Sequence, residues 1–246
     1  MVFYFTGTGN SLYVAKQMLK KGERLVDMAA ALEAKEYRYT VARGENVGFI
    51  FPVYFWTVND VVMDFIRHLE LEGAGYVYAV IICGGSIGSA AGLLRRELRK
   101  RGIRLICAYP LVMPDNCLLF YNNGTDDEHM EVFRKCKEKM MEIRTEVRLH
   151  RIRKPLLVIP ARINRAIYHR FTGTKKFRAT EKCVGCGMCA GICPVHAIEM
   201  KDGRPVWVKE KCTKCCACIN RCPQAAIEHG RGTEKRARYN NPEAFR

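Results

Sequence analysis

Between Cys183 and Cys222 the chain carries nine of its thirteen cysteines, and eight of these fall into two copies of one pattern, C-x2-C-x2-C-x3-C-P. The first copy is Cys183, Cys186, Cys189 and Cys193, closed by Pro194; the second is Cys212, Cys215, Cys218 and Cys222, closed by Pro223. The flanks repeat as well: Lys182 precedes one copy and Lys211 the other, and Ala197-Ile198-Glu199 returns as Ala226-Ile227-Glu228. A small unit has been duplicated in tandem. Three cysteines at this spacing let one turn of backbone wrap three iron corners of a cubane and aim its amides at the sulfurs. The fourth points away and, in tandem arrangements, ligates the other cluster. The pattern therefore predicts two [4Fe–4S] clusters, one on Cys183, Cys186, Cys189 and Cys222, the other on Cys212, Cys215, Cys218 and Cys193. Zinc sites use paired C-x2-C elements, not triplets closed by Cys-Pro. Cys216 lies outside the motif and reads as a bystander. With no secretory leader at the N-terminus, such crowding reads as metal rather than disulfides.

Residues 1 to 150 carry a different pattern. Short apolar runs at Val2–Phe5, Val47–Val53, Tyr76–Cys83 and Ile103–Tyr109 alternate with helical periodicity at Ser11–Leu19, Val58–Leu69, Ala90–Lys100 and Asp126 to about Leu149. A weaker run at Arg24–Met28 is the second strand in sequence. Apolar strands alternating with helices predict a doubly wound α/β domain, with a parallel sheet covered on both faces.

The first strand runs into Thr6-Gly7-Thr8-Gly9-Asn10-Ser11, and a helix follows. Glycines let backbone amides approach a phosphate, hydroxyls add donors, and a helix N-terminus favours an anion. No Gly-Lys-Ser/Thr closes the loop, so it is not a Walker A loop. The third glycine of a dinucleotide fingerprint is Leu12, so that motif is absent too. Ligands of open α/β sheets bind beyond the carboxyl ends of strands. Two further loops meet that condition, Pro52-Val53-Tyr54-Phe55-Trp56-Thr57 and Cys83-Gly84-Gly85-Ser86-Ile87-Gly88, and Met113-Pro114-Asp115-Asn116 is positioned to close the pocket. Tyr54 or Trp56 is placed to stack on a flat ring. Cys83 and Cys117, beside this edge, read as small buried hydrophobes in preference to redox-active thiols, and Cys107 and Cys136 as core or surface bystanders. No catalytic triad, metal-hydrolase motif or acid–base pair emerges.

The hydroxyl-rich loop resembles the phosphate loop of flavodoxins, Ser/Thr-x-Thr-Gly-x-Ser/Thr. Together with the cysteine motifs, with Phe51-Pro52-Val53-Tyr54-Phe55-Trp56 and with Met113-Pro114-Asp115-Asn116, it makes the chain similar to the flavodoxin–ferredoxin fusion family. The resemblance spans nearly the whole chain. It implies a flavodoxin-like parallel-sheet domain, then a small α+β bacterial ferredoxin-like domain, with FMN and two [4Fe–4S] clusters as cofactors. On that basis Thr6, Gly7, Thr8, Gly9, Asn10 and Ser11 hold the FMN phosphate, while Pro52–Trp56, Cys83, Gly84, Gly85, Ser86 and Gly88 border its ring. Cys117-Leu118-Leu119 departs from the family, where an aromatic is expected.

The expected organisation is an FMN-binding domain over 1–150, a connector over 151–178, the cluster domain over 179–230 and a frayed polar tail over 231–246. Lys154-Pro155 and Ile159-Pro160 break helices in the connector, and its apolar residues Leu156–Ile159, Ile163, Ile167, Tyr168 and Phe171 are expected to pack on the domains. The formal charge is +16. Much of the excess lies between Arg134 and Arg178, with about fifteen Lys or Arg against three acids. This stretch is read as a solvated face or as a dock for an acidic redox partner. Peripheral contact with an anionic membrane is a lesser reading, and no nucleic-acid motif is present. No apolar run is long enough to span a bilayer, and a cytoplasmic location is expected. The function expected is electron transfer between clusters and FMN and on to a partner. The alternatives are a flavoenzyme reducing a quinone or nitroaromatic, or a ferredoxin carrying a docking domain without flavin.

Overall fold

The structure is a computed structural model that describes residues 1–152 and 160–245. The N-terminal part runs β1 (Val2–Tyr4), α1 (Asn10–Met18), β2 (Leu25–Asp27), α2 (Met28–Glu33), β3 (Arg38–Tyr54), β4 (Thr57–Val58), α3 (Asp60–His68), β5 (Glu70–Cys83), α4 (Ala90–Lys100), β6 (Leu105–Val112) and α5 (Asp126–Arg148). The strands line up β2-β1-β3-β5-β6, every neighbouring pair parallel, and β4 folds back on β3 as a short hairpin. With the hairpin set aside this is the 2-1-3-4-5 order of doubly wound sheets, whose switch point lies beside β1.

Alternation along the strands sorts two cores. Phe3, Phe49, Phe51, Ala79 and Ile81 face α3 and α4, while Val2, Ile50, Val80 and Ile82 face α1 and α5. Both faces of the central strands are buried, which is why these runs read as continuous apolar sequence. Local signals fix the helix starts: Asp27 caps α2, Asn59 caps α3, and Thr125 with Glu128 forms a capping box on α5. Six-residue α2 is too short to show periodicity, and sequence reasoning passed over it.

The C-terminal part contains α6 (Ala161–Phe171), β7 (Phe177–Ala179), α7 (Met188–Gly191), β8 (Ile198–Lys201), β9 (Arg204–Trp207), α8 (Ala217–Asn220) and β10 (Ile227–His229). β7 pairs with β10 and β8 with β9, both antiparallel. The two short helices carry the third cysteine of each triplet, Cys189 in α7 and Cys218 in α8.

Two expectations are corrected. The connector is not irregular throughout, because residues 161–171 form α6. Its Tyr168 is fully buried and donates its hydroxyl to the Thr213 carbonyl at 3.3 Å. Arg165 on the same helix reaches the Val58 carbonyl and Asp60, at 2.9 and 2.7 Å. Of the residues expected to pack, Ile163 is exposed; Leu156, Leu157, Val158 and Ile159, with the Lys154-Pro155 break, lie outside the described residues. The tail is not frayed either. Tyr239, Asn241 and Ala244 are buried, held mainly by hydrogen bonds that a polar composition does not advertise.

Asn220, buried at 2 %, ties three segments together. Its amide donates to the carbonyls of Asn116 and Cys216, each at 3.0 Å. Its carboxamide oxygen accepts from the Tyr239 amide at 2.9 Å, and its backbone carbonyl accepts from Asn240 at 2.8 Å. Removing the side chain strands several buried polar groups at roughly 1–3 kcal/mol each. Asn220→Ala is expected to lower stability by about 3 kcal/mol in denaturant unfolding, and to expose the tail to proteolysis before the sheet unfolds.

Candidate functional site: two cysteine quartets against a closed sheet edge

The duplicated unit folds as a pseudo-symmetric pair. One cavity is lined by Cys183, Cys186, Cys189 and Cys222, the other by Cys193, Cys212, Cys215 and Cys218. Each contains three cysteines of one repeat and the fourth of the other, the crossed set the spacing predicts. Backbone amides point at sulfurs in matching places: Ala197 N–H donates to Cys193 Sγ at 3.2 Å and Ala226 N–H to Cys222 Sγ at 3.3 Å. Among the described residues no His, Cys, Asp or Glu group converges on a point suited to a single metal ion. The thiols ring a volume instead, which fits the donor set of a cubane. Burial raises the Cys215 thiol to about 11 and pushes Cys212 and Cys218 up as well. The ionised form of these sulfurs therefore needs iron to stabilise it.

The quartets differ in exposure. Cys186 is exposed, and Val184 and Met188 beside it are 66 % and 42 % exposed. Cys215 is buried and sits against the α/β domain. A methyl group at Gly7 would meet the Cys215 carbonyl at 2.4 Å, so only glycine permits this approach. Asn116 spans the junction, donating to Thr8 Oγ1 at 3.0 Å and to the Cys215 carbonyl at 3.3 Å. Leu118 and Leu119, the departure from the flavodoxin–ferredoxin pattern, bury themselves among Phe177, Ile198, Ile219 and Ile227 of the cluster domain.

The repeats also differ at two backbone positions. Gly185 and Gly187 take left-handed φ values of 70° and 74° in the first; Lys214 and Cys216 take 55° and 57° at the same places in the second. A side chain there costs on the order of 1–2 kcal/mol. Both side chains are buried. Lys214 Nζ lies 3.0 Å from His229 Nε2 and 4.5 Å from the centre of the Phe177 ring. Burial and the neighbouring ammonium hold His229 down to about 4, so its neutral ring accepts from Lys214. The Cys216 thiol donates to the Lys214 carbonyl at 3.4 Å, and the neighbouring Cys216 is the largest influence holding the Cys117 thiol below its ordinary value.

The loops expected to hold FMN do meet at the carboxyl edge. Thr6, Gly7, Thr8, Asn10, Ser11, Pro52, Val53, Tyr54, Cys83 and Gly84 line one slot with Pro114, Asp115 and Asn116. The tail closes the phosphate side. Asn241 N–H donates to the Thr8 carbonyl at 2.8 Å, Tyr239 and Asn241 both donate to Asn10 Oδ1, and Ala244 with Phe245 covers Gly9. FMN does not fit this arrangement, although Ser11 Oγ and Tyr54 Oη lie buried there without a partner among the described residues. Several expected ring contacts lie elsewhere. Phe55 and Trp56 form the left-handed turn of the β3–β4 hairpin; Phe55 stacks on Phe171 and Trp56 is half exposed. Gly88 faces Trp56, and Gly85 and Ser86 are exposed away from the slot. The hairpin needs two consecutive residues with positive φ, and Phe-Trp gives no signal for that turn.

Among the described residues no helix is long and apolar enough to cross a membrane. A search of curated proteins finds no match to the chain. One solved structure similar to it is the Trp repressor binding protein from Bacillus subtilis, at 10% identity and a TM-score of 0.38, covering 59% of this chain and 95% of that one. That likeness is too slight to argue from. Residues 175–223 match the 4Fe-4S dicluster domain family, and the crossed quartets and antiparallel strand pairs of the C-terminal part agree with that match.

Proposed function

We propose that the protein is a two-cluster electron carrier whose α/β domain serves as a shield and dock for the second cluster. The observation that carries this reading is the placement of the crossed quartets, one near the surface at Cys186 and one buried at Cys215 against Gly7. Electrons enter or leave at the exposed quartet. The Lys214 ammonium beside the buried quartet favours the more negative, reduced form of a cluster there, so electrons settle inward.

In this reading FMN is not a resident cofactor. A flavin-bearing form, whether carrier or small-molecule reductase, needs the tail and the Cys215 loop to withdraw, and the unpartnered Ser11 and Tyr54 hydroxyls are what favour it. Anaerobic purification with acid release is expected to give about eight irons and eight sulfides per chain and no flavin. One FMN per chain would show that the edge opens.

The ligand sets are tested separately. Cys193→Ser is expected to damage the cluster of the second repeat, seen as loss of one of two reduced EPR signals and of about four irons. Loss of the Cys183 cluster alone would show that the ligands do not cross.

The partner proposed is an acidic one-electron carrier, because the chain is basic and the entry face at Val184 and Met188 is exposed. The rate of cluster reduction by such a carrier is expected to fall several-fold between low and physiological salt. A rate indifferent to ionic strength would remove steering from the account.

A further inference from the structure

Two cysteines outside the quartets meet at the junction between the domains. Cys117 follows β6 on the α/β side, and Cys216 lies between the ligand positions Cys215 and Cys218. Neither is in a disulfide; the Asn220 amide donates to the carbonyls of both Asn116 and Cys216, each at 3.0 Å, and Cys117 packs against the buried side-chain cluster that contains Cys216. The segments carrying them are pinned together on both sides of the pair. Asn116 Nδ2 donates to the Cys215 carbonyl at 3.3 Å, and the Asn116 carbonyl accepts from Asn220 at 3.0 Å. The Cys117 amide is fixed by Asp115 Oδ1 at 2.8 Å.

Cys216 packs in the buried cluster of the domain and its thiol donates to the Lys214 carbonyl at 3.4 Å, but its backbone is costly for a residue with a side chain. It holds a left-handed φ of 57° where the first repeat has Gly187 at 74°, and its side chain is only 3 % exposed. Glycine would relieve the strain and would leave the backbone path unchanged. Strain kept in a buried nucleophile beside a redox centre marks a functional position more often than a packing one. Cys117 is less buried than its partner, so the pair has one inner and one outer member.

We propose that Cys117 and Cys216 form a two-electron dithiol–disulfide centre fed by the second cluster. The proposal rests on the two-cluster reading. Reduction breaks the Cys117–Cys216 S–S bond, takes up two electrons and two protons, and leaves two thiols. Each electron comes from one reduced cluster, which returns to its oxidised state; a low-potential one-electron carrier reduces the clusters again. Oxidation runs the same atoms backwards. A carrier of single electrons thereby exchanges pairs with dithiol or disulfide substrates at the outer sulfur, the two-electron role that the closed flavin slot leaves unfilled.

The test uses the full holoprotein under anaerobic conditions. After oxidation with a mediator, free thiols are alkylated in denaturant and the digest is searched for a peptide linking residues 117 and 216. In parallel, coulometric reduction counts electrons per chain. The oxidised wild type is expected to take up about four electrons and to yield the linked peptide; Cys117→Ser and Cys216→Gly are expected to take up about two while keeping about eight irons. Uptake of two electrons by a wild type with eight irons, or absence of the linked peptide, overturns the dithiol centre and leaves the cluster reading standing. Fewer than eight irons in the wild type overturns the cluster reading and this proposal with it. Should Cys216→Gly lose iron, Cys117→Ser alone decides, since it lies outside the cluster loop.

Discussion

The approach of the Cys215 carbonyl to Gly7 decides how the two halves of this chain can function together. It brings the backbone of a cluster loop to the phosphate loop of an α/β sheet at a distance that excludes even a methyl group. Asn116 and Asn220 then link that contact to the tail and to α8. Leu118 and Leu119 supply the apolar seal, burying side chains worth on the order of 2 kcal/mol each. The carboxyl edge of the sheet, where an open α/β domain ordinarily receives a ligand, is occupied by the protein itself.

The parallel sheet and its main strands were legible because both faces of the central strands are buried, leaving long apolar runs between amphipathic helices. The cysteine quartets were legible because a cubane's geometry imposes its spacing on the chain. The closure of the edge was not legible. It depends on hydrogen bonds from Tyr239 and Asn241 to Asn10 and Thr8, made by residues whose polarity reads as a solvated tail. It also depends on Leu118 and Leu119, two ordinary leucines whose partners lie about a hundred residues away. The Thr6–Ser11 loop does sit at the end of β1, as its sequence position implies; what lies against it could not be read from its own residues. The hairpin at Phe55-Trp56 escaped for a related reason. Its φ values are imposed by packing against Phe120 and Phe171, and the dipeptide carries no turn chemistry.

Duplication makes the remaining asymmetry informative. Two copies of one unit should serve equally well with glycine at both left-handed positions, and the first copy has Gly185 and Gly187 there. The second replaces them with a lysine and a cysteine, at a conformational cost, and buries both. Lysine is among the most expensive side chains to bury without a carboxylate partner, and among the described residues no acid pairs with Lys214. A cluster carries net negative charge on its thiolates and sulfides, and it is the counter-charge this ammonium lacks in the protein framework. The strain and desolvation at Lys214 are thus offset only when the second quartet is filled.

That offset orders the path. The quartet at Cys186 is open to solvent and has glycines beneath it, so nothing in its loop stabilises added negative charge beyond the backbone amides. The quartet at Cys215 has no fully exposed cysteine, has Lys214 in its lining, and adjoins Cys216 and, across the junction, Cys117. In a low-dielectric setting a fixed positive charge acts strongly on the reduced form, whereas at the exposed quartet water screens the same charge. If both quartets hold clusters, added negative charge would be favoured at the inner one over the outer one.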